Sequence, residues 1–233
     1  MGQHMRAVVV KHEEHEGLGL LEKPLRDAGY QLVTRFRGVE HREDLEAELL
    51  VVLGGSMSVT QRDRHPFLDD ELGVLSERLA LGRPCLGICF GAQLLATAAG
   101  ATVSLGKNGL EVGVAPVRLT KQGLEDPAFK ELPPKAVMAL WHEDTWSAVP
   151  EGVLLASTDR YTQQAFRVGK SYGLQFHPEL TADAFGEWLT RDAELLELDG
   201  KNVEELRAGL PKLRAVEQQN VFFLERLVKQ LGR

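Results

Sequence analysis

Cysteine is scarce in this chain: Cys85 and Cys89 are the only two among 233 residues. If both lie on one strand, their Cα atoms are ~13 Å apart at ~3.3 Å per residue, whereas a disulfide needs a separation below ~7 Å. The spacing also matches none of the usual zinc patterns, and no histidine pair lies at a matching offset. We therefore expect two free thiols, no structural metal site, and a reducing compartment.

Long apolar runs and an excess of positive charge are missing too. No stretch approaches the ~18 apolar residues that a membrane helix needs, and the chain does not start with the basic-then-apolar pattern of a signal peptide. We expect a cytoplasmic protein without a membrane partner. The 27 Lys and Arg residues against 34 Asp and Glu give a net charge of −7, which argues against nucleic acid as a partner. Residues 1–4, ahead of Met5, are interpreted as an expression remnant.

Short apolar runs alternate with helical patterns over the first hundred residues. This alternation predicts an α/β fold with an open, mostly parallel sheet covered by helices on both faces. Ligands in such folds bind beyond the carboxyl ends of the strands. The predicted strands are 6–10, 30–35, 49–53 and 84–88, and the predicted helices are 17–28, 68–81 and 92–99.

The rest of the chain divides into two regions with different sequence patterns. Closely spaced runs predict a small mixed or antiparallel region, with strands at 102–105, 112–119, 136–140, 153–157, 164–167 and 172–176. From residue 182 onward the sequence is charged, Leu-rich and helical, with breaks near Asp199-Gly200 and at Pro211. No flexible linker precedes this part. We expect a catalytic domain over 6–188 and a helical extension over 189–233 packed on it.

Two motifs imitate ligand sites. Gly17-Leu18-Gly19 follows a strand and opens a helix, yet Glu22 stands where a dinucleotide fingerprint has its third glycine. We interpret this segment as a structural turn. The His12-Glu13-Glu14-His15 cluster lacks the H-E-x-x-H spacing of a zinc site, so we interpret residues 12–16 as a solvated loop.

The strongest chemical signal is Gly87-Ile88-Cys89-Phe90-Gly91, a G-x-C-x-G form of the nucleophile elbow between a buried strand and a helix. A sharp strand-to-helix turn strains the nucleophile and crowds its neighbours, so glycine is needed on both sides. The helix start favours negative charge and hence the thiolate. Cys89 is the predicted nucleophile, and Cys85 is a small core residue.

A thiolate needs an imidazole to move protons and a third group to orient that imidazole. His177-Pro178-Glu179 follows a predicted strand and supplies both. Residues two apart on an extended segment point the same way, so Glu179 can hold one ring nitrogen of His177 while the other faces Cys89.

At these residues the chain resembles the class I glutamine amidotransferases, whose elbow reads much like residues 87–93 and whose partner motif reads His-Pro-Glu. The resemblance extends to Gly54-Gly55-Ser56 and covers roughly residues 6–188. The sequence pattern is similar to that of stand-alone GMP synthetase-like amidotransferase domains. It implies a flavodoxin-like sheet. It also implies residue roles: Cys89, His177 and Glu179 as catalytic triad, the backbone N–H groups of Gly55 and Phe90 as oxyanion hole, and Gln93, His142 and Asp144 beside the glutamine pocket.

The activity that the resemblance implies is hydrolysis of the γ-carboxamide of glutamine through a Cys89 thioester, without a cofactor. The chain has no room for a synthetase domain, so a separate synthetase subunit would accept the ammonia. Two alternatives stay open: a hydrolase of γ-glutamyl amines or peptides, and a binding or regulatory subunit without turnover. Apolar residues of the C-terminal helices either pack on the sheet or form a homodimer or synthetase interface.

Overall fold

The structure of the chain, a computed structural model, describes residues 5–233, so the interpretation of residues 1–4 lies outside the described part. Eleven strands are found in it: β1 Met5–Lys11, β2 Tyr30–Phe36, β3 Leu49–Val52, β4 Cys85–Ile88, β5 Val103–Leu105, β6 Glu111–Leu119, β7 Lys135–His142, β8 Asp144–Trp146, β9 Val153–Ser157, β10 Ala165–Val168 and β11 Ser171–Leu174. The described α-helices are α1 Glu22–Asp27, α2 His41–Glu46, α3 Phe67–Ala80, α4 Phe90–Ala98, α5 Lys121–Glu125, α6 Ala182–Arg191, α7 Ala193–Leu198, α8 Val203–Arg207 and α9 Leu210–Leu231.

Nine of these strands form one sheet in the order β2-β1-β3-β4-β11-β10-β9-β6-β7. The first five strands of that order are parallel, and each later strand is antiparallel to its neighbour. The α/β fold class is confirmed, and the parallel part has the flavodoxin-like order. The antiparallel strands continue the same sheet, while β5 and β8 pair separately.

Helices cover both faces of the parallel part, as predicted. Alternate residues of β1 point to opposite faces: Ala7 and Val9 belong to the core cluster that includes residues of α1 and α9, whereas Val8 and Val10 pack with α3 and α4. Burial on both faces explains why these strands are continuous apolar runs. α6 and residues of α7, α8 and α9 form a third cluster against the antiparallel strands.

Several elements differ from the sequence prediction. The predicted helix over 17–28 is a 3-10 turn at Gly19–Leu21 followed by the short α1. The short elements α2, α5 and β8 were not predicted, since six or fewer residues show too little periodicity to be recognised. No helix within residues 5–233 has the length and apolarity that a bilayer crossing requires.

The parallel strands β1, β3, β4 and β11 end at one edge of the sheet. The segments that follow them are 12–16, 54–56, 89–93 and 175–179. Residues far apart in sequence therefore meet at this edge, which is where ligands bind in open α/β sheets.

Candidate active site

The predicted elbow is a strained turn between β4 and α4. Cys89 has φ 52° and ψ −110°, a left-handed conformation that L-residues rarely adopt. A Cβ on Gly87 would overlap the carbonyl of Gly91, and a Cβ on Gly91 would overlap the carbonyl oxygen of Val52. The Gly91 N–H also donates to Leu53 O over 3.1 Å. The two glycines therefore let α4 start directly against the ends of β3 and β4.

The two cysteines lie in different surroundings, and both are free thiols. The Cys89 thiol donates to Trp141 O over 3.4 Å and is 8% exposed. Cys85 lies inside the sheet with no exposed surface, where burial raises the pKa of its thiol. Cys85 is a core residue, as expected.

His177 and Glu179 form a buried pair beside Cys89. His177 Nδ1 lies 2.7 Å from Glu179 Oε1, and the indole of Trp188 contacts the ring edge-on at 5.2 Å. The backbone N–H of His177 donates to Ala139 O on β7, which fixes the segment. Nε2 of His177 is buried without a hydrogen-bond partner among residues 5–233. Burial alone would lower the pKa of His177, but the charges of Glu179 and Cys89 outweigh it and raise that pKa well above its usual value.

The turn at Gly17-Leu18-Gly19 packs against the backbone of Glu179. Gly19 has φ +47°, and a Cβ there would overlap the carbonyl oxygen of Glu179. The N–H of Leu20 donates to the same oxygen over 2.8 Å. The glycine-rich segment is thus a structural turn that packs against the backbone of Glu179.

Two backbone N–H groups next to Cys89 are free to bind an anion. The N–H groups of Gly55 and Phe90 have no acceptor within residues 5–233. Gly55 lacks room for a side chain, because a Cβ there would lie 2.9 Å from His12 Cβ and 3.2 Å from the Phe90 ring. Unpaired backbone N–H groups beside a nucleophile can stabilise a developing oxyanion.

The residues expected beside a glutamine pocket lie at the same edge, but their polar atoms are largely engaged within the protein. Gln93 Nε2 donates to Gln175 Oε1 over 3.2 Å. His142 contacts Glu111 Oε2 through Nε2 at 2.9 Å and Asp144 O through Nδ1 at 3.0 Å. Both ring nitrogens of His142 are thus bonded within the protein. Asp144 is partly exposed and lines a cavity next to Cys89.

Gln175 was missed by the sequence analysis. It is fully buried, and its Nε2 donates to Cys89 Sγ over 3.7 Å while its Oε1 accepts from Gln93. Its position two residues before His177 is the only signal that the sequence offers.

Residues 12–16 form a loop, as predicted, and Glu14 and His15 are exposed, but the prediction that the whole loop is solvated is wrong for His12, Glu13 and Glu16. His12 is fully buried: Nδ1 contacts Gly54 O at 2.9 Å and Nε2 contacts Glu71 Oε2 at 3.0 Å. Glu13 accepts hydrogen bonds from the N–H and the hydroxyl of Ser56. Glu16 is partly buried, and burial near Glu179 and Glu13 raises its pKa to about 7, although the charges of nearby histidines oppose the rise. Charged residue types predict a solvent-exposed loop, but the groups that bind His12 and Glu13 lie far away in the sequence.

Two cavities share Cys89. The first has a volume of about 430 Å³ and lies on the His177 side; its lining includes Glu13, His15, Glu16, Trp141, Trp188, Arg191 and Asp192. The second, of about 580 Å³, lies on the Gln93 side; its lining includes Met57, Ser58, Leu105, Leu110, His142, Asp144 and Leu195. Both are bordered by Gly55 and Ser56. In the described part of the chain, no group of three or more His, Cys, Asp or Glu residues is arranged to hold a metal ion.

Known proteins share this sequence pattern and fold. The family model "Glutamine amidotransferase class-I" matches residues 21–195. The chain is 30% identical to the glutamine amidotransferase-like protein YfeJ of Salmonella typhimurium, over 88% of this chain and 90% of that one. It is also 30% identical to a GMP synthase of Thermosipho africanus, but spans only 34% of that protein's length. The crystal structure of a glutamine amidotransferase from Thermotoga maritima superposes with a TM-score of 0.87 and 29% identity, covering 100% of both chains.

Proposed function

Because the chain belongs to the class I glutamine amidotransferase family, we propose that it hydrolyses the γ-carboxamide of glutamine through a covalent thioester on Cys89. Cys89 is the nucleophile, His177 the proton carrier and Glu179 the group that orients His177. The observation that carries the proposal is that Cys89 and His177 line one cavity, while Glu179 binds Nδ1 of His177 and leaves Nε2 unpaired.

In the first half-reaction the thiolate of Cys89 attacks the γ-carbonyl carbon of glutamine: the C–S bond forms, and the electron pair of the C=O π bond moves to oxygen as the oxyanion. The N–H groups of Gly55 and Phe90 donate to that oxygen. The raised pKa of His177 favours its imidazolium form, which donates a proton to the departing nitrogen. Ammonia leaves as the C–N bond breaks, and the γ-glutamyl thioester remains.

In the second half-reaction water attacks the thioester. Neutral His177 takes a proton from that water, and the same two N–H groups hold the second oxyanion. The C–S bond then breaks, which releases glutamate and regenerates the thiolate. Glu179 holds the Nδ1–H tautomer of His177 throughout, so Nε2 faces the reacting atoms.

On the substrate side, the cavity beyond Cys89 supplies the glutamine pocket. Gln93 lines this cavity, the buried Gln175 donates to the Cys89 thiol, and Asp144 offers a carboxylate for the α-ammonium group. His142 positions Asp144 through its bond to the backbone carbonyl of that residue.

The test is glutamate release by Cys89→Ala, with Cys85→Ala as the matched control. Loss of the nucleophile should lower kcat at least ~1000-fold. Cys85→Ala, which changes the buried thiol at the start of β4, should keep the wild-type rate. Unchanged glutamate release by Cys89→Ala would contradict the catalytic assignment and favour a binding or regulatory role.

A second candidate is hydrolysis of γ-glutamyl amines or peptides. The observation that favours it is the cavity of about 430 Å³ on the His177 side, which exceeds the space that ammonia needs. In this proposal a leaving amine with an organic substituent occupies that cavity, whose lining includes Trp188 and Asp192. The same two half-reactions apply, with this amine in place of ammonia.

Comparing kcat/KM for glutamine, γ-glutamyl amines and γ-glutamyl peptides separates the two candidates. A higher value for glutamine supports the amidotransferase reaction, and a higher value for a substituted amide supports the hydrolase. If glutamine is preferred, a separate synthetase protein is the proposed ammonia acceptor, since the chain spans about a third of the GMP synthase it matches. Co-purification from the native organism tests that partner.

A further inference from the structure

The segment after β1 contains a second buried histidine–carboxylate pair, which the proposed mechanism does not use. His12 has no exposed surface, and Glu71 on α3 is 1% exposed. Their contact, His12 Nε2 to Glu71 Oε2 at 3.0 Å, joins the segment after β1 to α3 across 59 residues of sequence. A buried ionisable pair is costly to desolvate, so packing alone does not account for it.

The other ring nitrogen of His12 shows what the pair holds. Nδ1 lies 2.9 Å from Gly54 O, and because a carbonyl oxygen only accepts, Nδ1 carries the proton and donates. Glu71 fixes the ring from the opposite side, and the Phe90 ring packs edge-on against His12 at 5.0 Å. The carbonyl of Gly54 is thus held by an anchored donor.

That carbonyl belongs to the same peptide group as the N–H of Gly55. In a planar trans peptide the C=O and N–H bonds point in opposite directions. Fixing the Gly54 oxygen toward His12 therefore turns the Gly55 N–H away from His12. Gly55 lines both cavities that contain Cys89, and its N–H has no acceptor within the described residues.

The next peptide along is held as well. Glu13 accepts from the Ser56 N–H over 3.3 Å and from the Ser56 hydroxyl over 2.5 Å. Two consecutive residues after β1 therefore bind the residues on either side of Gly55.

We propose that the His12–Glu71 pair positions the oxyanion donor Gly55 by holding the 54–55 peptide plane. His12 is a positioning residue that does not touch substrate. The inference rests on the proposed function, because it concerns the oxyanion formed during acyl transfer to Cys89.

Three substitutions separate the hydrogen bond from the volume of the ring. His12→Phe fills the space without a donor. His12→Asn places an amide N–H where Nδ1 stands, and His12→Gln places its amide nearer the position of Nε2, toward Glu71. We expect kcat for glutamine to fall ~10- to 100-fold in the Phe and Gln variants and to be largely restored in the Asn variant, with KM little changed, because the oxyanion exists only after attack.

The rate of Cys89 alkylation by iodoacetamide separates two causes of lost turnover. A loss of structure would change this rate, whereas a misplaced Gly55 N–H would not. This displacement forms no oxyanion at a carbonyl, so its rate should stay near the wild-type value in all three variants. The matched control is His41→Asn, since His41 forms an exposed pair with Glu77 at 3.5 Å on the surface. It should leave both rates unchanged.

Full glutamine turnover by His12→Phe and His12→Gln would overturn the inference, and so would a parallel fall of turnover and alkylation. If the Phe variant does not fold, the Asn and Gln variants decide alone. Absence of glutamate release by the wild-type enzyme contradicts the proposed function and this inference together, whereas normal release by wild type and by the Phe variant contradicts the inference only.

Discussion

The carboxylate of Glu16 lies in the cavity next to His177, over the backbone of Gly54. Burial raises the pKa of this carboxyl from 4.5 to about 7; the charges of His177 and His12 lower it, and those of Glu179 and Glu13 raise it. The folded protein therefore keeps this proton at pH values where the unfolded chain has lost it. The stabilisation is complete below about pH 4.5 and is lost as the pH rises toward 7.

Glu16→Gln should accordingly gain stability relative to wild type as the pH rises. Between pH 5 and pH 8 the difference in unfolding free energy between variant and wild type should move in favour of the variant by about 2 to 3 kcal/mol. Urea denaturation at both pH values measures this. Glu14→Gln, a change of an exposed carboxylate in the same segment, is the control and should follow the wild-type pH dependence. A difference that stays constant between the two pH values would contradict the assignment.

Single residues also show where sequence reasoning stops. The roles proposed for Cys89, His177 and Glu179 come from local spacing, because each motif lies within five residues of one strand end. The burial of His12 depends on Glu71 and Gly54, which are 59 and 42 residues away. A run of five residues containing two His and three Glu is typical of a solvated loop until its partners are known.

At the scale of elements, the glycines of the elbow decide how closely α4 approaches β3. A methyl group on Gly91 would overlap the backbone of Val52, which has no room to move. Gly91→Ala should therefore lower the unfolding free energy by at least ~2 kcal/mol and lower turnover as well. The matched change is Gly73→Ala on α3, where an added Cβ meets no atom within 4 Å. It should raise stability by about 0.5 to 1 kcal/mol, because glycine is a poor helix residue.

Chemical denaturation of both variants tests the pair. Equal stability of Gly91→Ala and wild type would mean that α4 can shift away from β3, and it would remove the steric explanation of the G-x-C-x-G pattern.

Element types were predicted well where apolar residues form a continuous run or repeat at helical spacing, and poorly in the short α2, α5 and β8. β9 was predicted at its observed residues, and the predicted strand 6–10 lies inside β1. α3 was predicted within one residue at each end, since four leucines repeat at helical spacing. Local sequence patterns do not predict which strands pair. The sequence of β6, β7, β9 and β10 does not indicate that these strands extend the parallel sheet instead of forming a separate one.

At the scale of the whole molecule, the C-terminal helix α9 completes the core of the parallel half. Phe223, Leu224 and Leu227 have no exposed surface and belong to the cluster formed by residues of β1, β3 and β4. If α9 detached, the apolar side chains of β1, β3 and β4 that it covers would be exposed to water. Within the segment 189–233, predicted as an extension, α9 thus packs its buried residues against the sheet.

Shared burial predicts that α9 and the sheet unfold together. Phe223→Ala should lower the unfolding free energy by about 3 to 5 kcal/mol, because it leaves a cavity among buried aromatic and aliphatic side chains, and the calorimetric trace should still show one transition at a lower Tm. Its neighbour Phe222 is 51% exposed, so Phe222→Ala is the matched control and should cost less than ~1 kcal/mol. A trace that splits into two transitions in Phe223→Ala would show instead that α9 detaches before the sheet melts, and the sheet would then have to be stable without it.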